Sequence, residues 1–151
     1  MPVKKPLRVL VTGGRSYSDQ HRLNSILDNL LMCGLAAVAH GAAKGADTMA
    51  SHWCQAHKGV QECVYRADWL NHGNAAGPIR NAEMLKDFDP TIVVAFAGGA
   101  GTRNMINLAL DAGVTVMVMD GGATGLQVCD VTVPTKGAKG GGFGLKLTGE
   151  R

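Results

Sequence analysis

Five short apolar runs, at 7–12, 35–40, 60–65, 91–96 and 114–119, alternate with segments whose apolar residues recur at helical spacing. Such runs read as strands, and the segments between them read as helices. This alternation leaves few folds open. Each helix must carry the chain back across the sheet, so the strands run parallel and helices cover both faces. The expected fold is a doubly wound α/β domain. Its 151 residues suffice for one hydrophobic core.

Helix signals agree with this reading. Ser18 or Asp19 can cap the helix whose apolar face is Leu23, Ile26, Leu27, Leu30 and Leu31, and Gly34 stands at its end. A second helix runs over 46–57 with Gly59 closing it, and Trp53 belongs to its core face. The mixed polarity of 60–65 suits an edge strand. The stretch 66–78 has no apolar periodicity and reads as a long functional loop. It leads into a third helix, with Pro78, Arg80 and Asn81 in the first turn. The domain spans residues 1–122. Residues 123–151 form a Gly-rich C-terminal extension, with a weakly alternating edge strand over 126–133 and a flexible tail after it.

The strands end in glycine. Gly13 and Gly14 follow the first, Gly41 and Gly45 the second, and Gly98, Gly99 and Gly101 the fourth. A strand-to-helix turn of this kind offers backbone N–H groups and the positive end of a helix dipole to an anion. Glycine keeps side chains from holding a phosphate away from that backbone. Thr102 is placed as an N-cap or as a hydroxyl donor to the same anion. In a parallel sheet, ligands bind beyond the carboxyl ends of the strands. The segments 13–19, 40–47, 66–81 and 98–104 all fall there, and their convergence outweighs any one of them. The bland alternative is that they are structural turns only.

Charge narrows the partners. Residues 9–133 carry eight basic and eleven acidic residues, while 1–8 and 134–151 carry seven basic and one acidic. An acidic body is unsuited to neutralising duplex phosphates, so nucleic acid is not an expected partner. The basic ends, Arg8 included, read as solvated. Cys33, Cys54, Cys63 and Cys129 form no C-x-x-C pair and no metal-ligand spacing with the five histidines. Free thiols in a reducing cytoplasm, no metal and no resident cofactor are expected. No segment is long and apolar enough to span a membrane.

Several of these residues together resemble one family. They are 11–15 (V-T-G-G-R), 40–47 (H-G-A-A-K-G-A-D), 67–69 (A-D-W), 77–81 (G-P-I-R-N) and 98–102 (G-G-A-G-T). The set is similar to the YspA-like, YpsA-related branch of the SLOG superfamily, over about residues 7–118. Relatives include the LOG phosphoribohydrolases, molybdenum-cofactor carrier proteins and the Smf/DprA proteins. The resemblance implies a Rossmann-like fold and recognition of a nucleotide or nucleotide-derived ligand. It also implies a homo-oligomer such as a dimer. One departure matters: the glutamate of the LOG motif P-G-G-x-G-T-x-x-E falls on Met105, which cannot ionise, whereas the LOG arginine has a counterpart in Arg80.

The candidate site follows. Gly98, Gly99, Gly101 and Thr102 cradle a phosphate, with Gly41, Gly45, Ala46, Gly13 and Gly14 as further close-approach turns. Arg80 is its cationic partner, and Arg15 is either a second one or a solvated surface residue. Asn81 either contacts base or ribose or makes a cap-region hydrogen bond. Asp47 either complements its helix dipole, binds ribose hydroxyls or acts as a base. Asp47 and Asp68 are the carboxylates able to stand in for the missing glutamate. Trp69 reads as a core or interface residue rather than a base-stacking one. His40 and His72 read as structural histidines. Three functions follow: a nucleotide-binding sensor, carrier or processing protein; a phosphoribohydrolase-like N-glycosidase; and a non-catalytic oligomeric interaction protein.

Overall fold

In the computed structural model, which describes residues 6–119, 130–132 and 145–146, the first strand explains the rest. Strand β1 (Leu7–Thr12) is apolar on both faces because both are covered. Val9 and Val11 join a cluster with Leu23, Ile26 and Leu27 of α1 (Gln20–Met32) and with Ala46, Ala50 and Trp53 of α2 (Ala46–Ala56). Leu10 faces the other way, toward Met84 and Phe88 of α4 (Ala76–Phe88) and Met105 and Ala109 of α5 (Ala100–Asp111). Helices therefore cover the sheet from both sides, as the alternation requires.

The remaining parallel strands are β2 (Leu35–His40), β3 (Gln61–Val64), β4 (Ile92–Ala95) and β5 (Thr115–Val118). Two short strands, β6 (Asp130–Thr132) and β7 (Leu145–Lys146), add antiparallel to the β5 side. The sheet order is β3-β2-β1-β4-β5-β6-β7. The chain thus winds from β1 outward to β3, returns to β4 beside β1, and winds outward again. Strand β3 lies at the edge, with Gln61 and Val64 exposed, as its polarity predicts.

Caps act where the sequence places them. Asp19 accepts the amide hydrogen of Arg22 at 3.0 Å, and Gly34 leaves α1 with φ +94°. Other expectations change. The stretch 66–78 is no plain loop: it holds α3 (Trp69–His72) and a 3-10 turn (Gly73–Ala75) that runs into α4. Because α4 begins at Ala76, two residues before Pro78, Arg80 and Asn81 fall in its second turn rather than its first. Arg8 is not a solvated end. Its guanidinium lies 4.3 Å from the Phe88 ring centroid and donates two hydrogen bonds, 3.1 and 2.8 Å, to the Phe88 carbonyl. The expected strand over 126–133 is observed at 130–132, inside β7 rather than at the edge. The rest of that run, Cys129 and most of the expected tail lie outside the described residues. Among the described residues no helix is long and apolar enough to cross a membrane.

Candidate functional site

Strands β1 and β4 are neighbours, but their connections leave in opposite directions across the sheet. The crevice between those connections is where doubly wound sheets hold ligands. It contains a cavity of about 460 Å³, within the range of small-molecule sites. Thr12, Gly13, Gly14 and Arg15 line it from β1, Ala43 and Asp47 from the β2–α2 turn, and Trp69, Arg80 and Asn81 from α3 and α4. Gly99, Gly101, Thr102 and Asn104 complete it from the start of α5. Four sequence segments that were far apart thus meet on one rim.

The glycines fall into two classes. Most are required by the protein's own packing. A Cβ on Gly98 would strike the Thr102 hydroxyl and stand 2.6 Å from the Gly14 nitrogen, and one on Gly14 would stand 2.9 Å from the Ala97 carbonyl oxygen. One on Gly13 would stand 2.6 Å from the Ala46 Cβ. Gly45 combines φ +83° with a close approach to the Gly14 carbonyl, and a Cβ on Gly41 would enter the Arg80 guanidinium. These glycines let the first turn, the β2–α2 turn and the β4–α5 turn nest together. Gly99 and Gly101 differ, because a Cβ on either would meet nothing within 4 Å. They face open space at the start of α5.

That start is uncapped. Gly99, not Thr102, is the N-cap of α5, and no side chain accepts from its first-turn amides. Thr102 is buried inside the first turn, beside Gly98. Asn81, buried on α4, donates to the Gly101 carbonyl at 3.3 Å and to the Asn104 side chain at 3.0 Å. It fixes the first turn of α5 without blocking its N–H groups.

Asp47 and Arg80 form the polar wall opposite. Asp47 is 6 % exposed, and its Oδ2 accepts the amide hydrogens of Gly41 at 3.1 Å and Ala43 at 3.2 Å. Burial pushes its carboxyl above the usual range. The Ala43 amide, His40, Arg80 and the Gly41 amide pull it partly back. Arg80 donates to the Gly41 carbonyl at 2.6 Å, the Tyr65 carbonyl at 3.2 Å and Asn81 at 3.0 Å. Burial and the nearby Arg15 lower its pKa, while Asp47 raises it. Arg80 therefore braces α4 against the ends of β2 and β3 and still presents its charge to the cavity.

The other candidates take different places. His40 is 2 % exposed; its Nδ1 accepts the Ala42 amide hydrogen at 3.1 Å, so Nε2 carries the proton donated to Glu62 at 2.6 Å. Burial alone would raise the Glu62 pKa, but hydrogen bonds from His40, Ser51 and Gln55 outweigh it and hold the carboxyl low. His40 is structural, as read. Asp68 is exposed, caps α3 by accepting from Asn71 at 3.2 and 2.7 Å, and does not line the cavity. Those bonds lower its pKa. His72 ends α3 at the surface. Trp69 is not a core residue: it is 49 % exposed and walls the cavity, with the Arg15 guanidinium 5.5 Å from its ring centroid. Met105 is fully buried in the α4–α5 core and off the cavity wall. Sequence reasoning missed Lys44 and Arg66, which sit beside Arg15 and Arg80. Both lie in turns that follow strands, Lys44 after β2 and Arg66 after β3, so the carboxyl-end rule was the signal available for them.

Residues 7–72 match the model of the YspA, cpYpsA-related SLOG family. The chain is 36% identical over 118 residues to the Gene 61 protein of Mycobacterium phage D29, covering 73% of this chain and 94% of that protein. Among solved structures it is similar to PaaA, with a TM-score of 0.48 and 12% identity. It is also similar to glycinamide ribonucleotide transformylase 1 from Symbiobacterium toebii, with a TM-score of 0.41 and 17% identity. The matches cover 84% and 74% of this chain but only 43% and 51% of those structures. The family match and the phage relative together identify the chain as a member of the YspA, cpYpsA-related SLOG family.

Proposed function

We propose that this protein binds a nucleotide or nucleotide-derived ligand in the cavity between β1 and β4. The ligand phosphate lies at the first turn of α5, and Asp47 accepts from ribose hydroxyls. One observation carries the reading. The α5 N-terminus opens on the cavity without a side-chain cap, and Gly99 and Gly101 leave the space before it empty. Unsatisfied first-turn amides and the helix dipole favour an anion there. Arg80 supplies charge from the facing wall. Proton NMR of a nucleotide panel (AMP, GMP, ATP, NAD, ADP-ribose and cyclic nucleotides), followed overnight, tests it. Selective broadening of one ligand without new peaks is the expected result; no broadening across the panel contradicts it.

A second reading, hydrolysis of the N-glycosidic bond, rests on Asp47. A buried carboxyl with a raised pKa at the cavity wall is suited to proton transfer. Water would add to the ribose C1′ as the C1′–N bond breaks, and the base would leave protonated. New free-base peaks that vanish in Asp47→Asn would establish it. Free base still released by Asp47→Asn would exclude Asp47 from the reaction.

A further inference from the structure

Beside the main cavity lies a second cleft of about 380 Å³. Arg15, Lys44, Arg66 and Arg80 line it, with no carboxylate on its wall. The surrounding residues 9–133 hold only eight cations and are acidic overall. Half of those cations therefore gather at one place on a body whose charge favours the opposite. Among the described residues, none of the four forms an ion pair within 4.0 Å of the kind that joins His40 to Glu62 and His57 to Asp28. Asp47 acts on Arg80 from the main cavity, but no carboxylate lines the cleft. The like charges crowded there repel one another, and an anion in the cleft reduces that cost.

The cleft is not independent of the main cavity. Arg15, Ala43, Trp69 and Arg80 line both. A ligand seated at the α5 N-terminus can therefore pass the Arg15–Trp69–Arg80 wall and continue into the cleft. The turn bearing Lys44 is held in place by the bonds from Gly41 and Ala43 to Asp47.

We infer that the cleft is a second anion subsite, and that the ligand is a nucleotide with two linked phosphates rather than a nucleoside monophosphate. This rests on the proposed nucleotide site. The diphosphate lies where cavity and cleft join, one phosphate toward the first turn of α5 and the other toward Lys44 and Arg66, with Arg15 and Arg80 beside both. The Arg15 and Arg66 guanidinium groups can pair with phosphate oxygens two at a time, Arg80 offers the Nη2 that its bonds to Gly41, Tyr65 and Asn81 leave over, and the lysine adds a point charge.

The test is calorimetric titration of the full chain with AMP, ADP and inorganic pyrophosphate, against a Lys44→Ala/Arg66→Ala double variant. Both side chains are exposed, so the variant keeps the fold, which a thermal melt verifies. The wild type is expected to bind ADP about tenfold or more tightly than AMP. The variant is expected to lose that preference while AMP affinity stays within about twofold. Equal AMP and ADP binding in the wild type, or an ADP preference that survives in the variant, overturns the inference and leaves the nucleotide site standing. If neither nucleotide binds, the nucleotide reading fails. Pyrophosphate then decides the cleft: binding lost in the variant supports it, and no binding overturns it. A single-stranded oligonucleotide bound through the same two residues without ADP preference would also overturn it.

Discussion

Gly98 and Gly99 are adjacent and do opposite things. Gly98 is enclosed by Thr102 and Gly14, so its missing Cβ is part of the packing between turns. Gly98→Ala should cost about 1–3 kcal/mol through overpacking, read as a lower midpoint in urea. Gly99 faces open space, so an equal substitution there carries no packing cost and should lower the midpoint less, by only the cost of alanine at an N-cap, about 0.5–1 kcal/mol. Asp47 gives a second prediction at this scale. Its folded pKa is raised by burial, so its contribution to stability is full below the unfolded value of about 3.9 and is lost as pH rises through the folded value. Asp47→Asn lacks that loss. Melting temperatures followed from about pH 4 to about pH 8 should therefore shift in favour of the variant as pH rises. A difference independent of pH would mean that the carboxyl titrates normally. Sequence alone made Gly98 and Gly99 equivalent members of one motif. Only the neighbours of each Cβ separate them.

At the scale of elements, most of the fold was legible. The continuous apolar run of β1 and the helical period in α1, α2 and α5 come from the same requirement that apolar faces meet, and that requirement is local. Long-range pairing was not legible. Nothing near Arg8 announces that it will stack on Phe88 and bond its carbonyl, which joins β1 to the end of α4. Nor did the polar run 66–78 disclose α3, which is four residues long, exposes Leu70 and carries no periodicity to read. Its signal was the capping pattern of Asp68 with Asn71. Phe88 is 1 % exposed and shared between α4 and the sheet. Phe88→Ala should cost about 3–5 kcal/mol in denaturant unfolding. A loss below about 1 kcal/mol would mean that α4 is held by other contacts.

At the scale of the molecule, the strand order turns a linear list of glycine turns into the lining of one cavity. Placing β4 beside β1 brings the first and fourth turns together at the reversal point, and the nested glycines lock that arrangement. The sequence showed that polar turns lie at one edge of the sheet. It could not show which would touch, because strand order depends on crossovers between residues far apart in the chain. Residues such as Lys44 and Arg66 enter the account only once that order is known. The acidic balance of residues 9–133 then makes their gathering with Arg15 and Arg80 a local feature rather than a general property of the surface.

The central claim is that the open first turn of α5 holds a ligand phosphate. The most direct measurement is calorimetric titration of wild type and Gly99→Asp with the nucleotide that broadens most in the NMR panel. The added carboxylate stands in empty space in front of the α5 amides, so it should not disturb folding. Affinity should fall about tenfold or more with no loss of melting temperature. Unchanged affinity in a folded Gly99→Asp protein would contradict it and move the phosphate elsewhere.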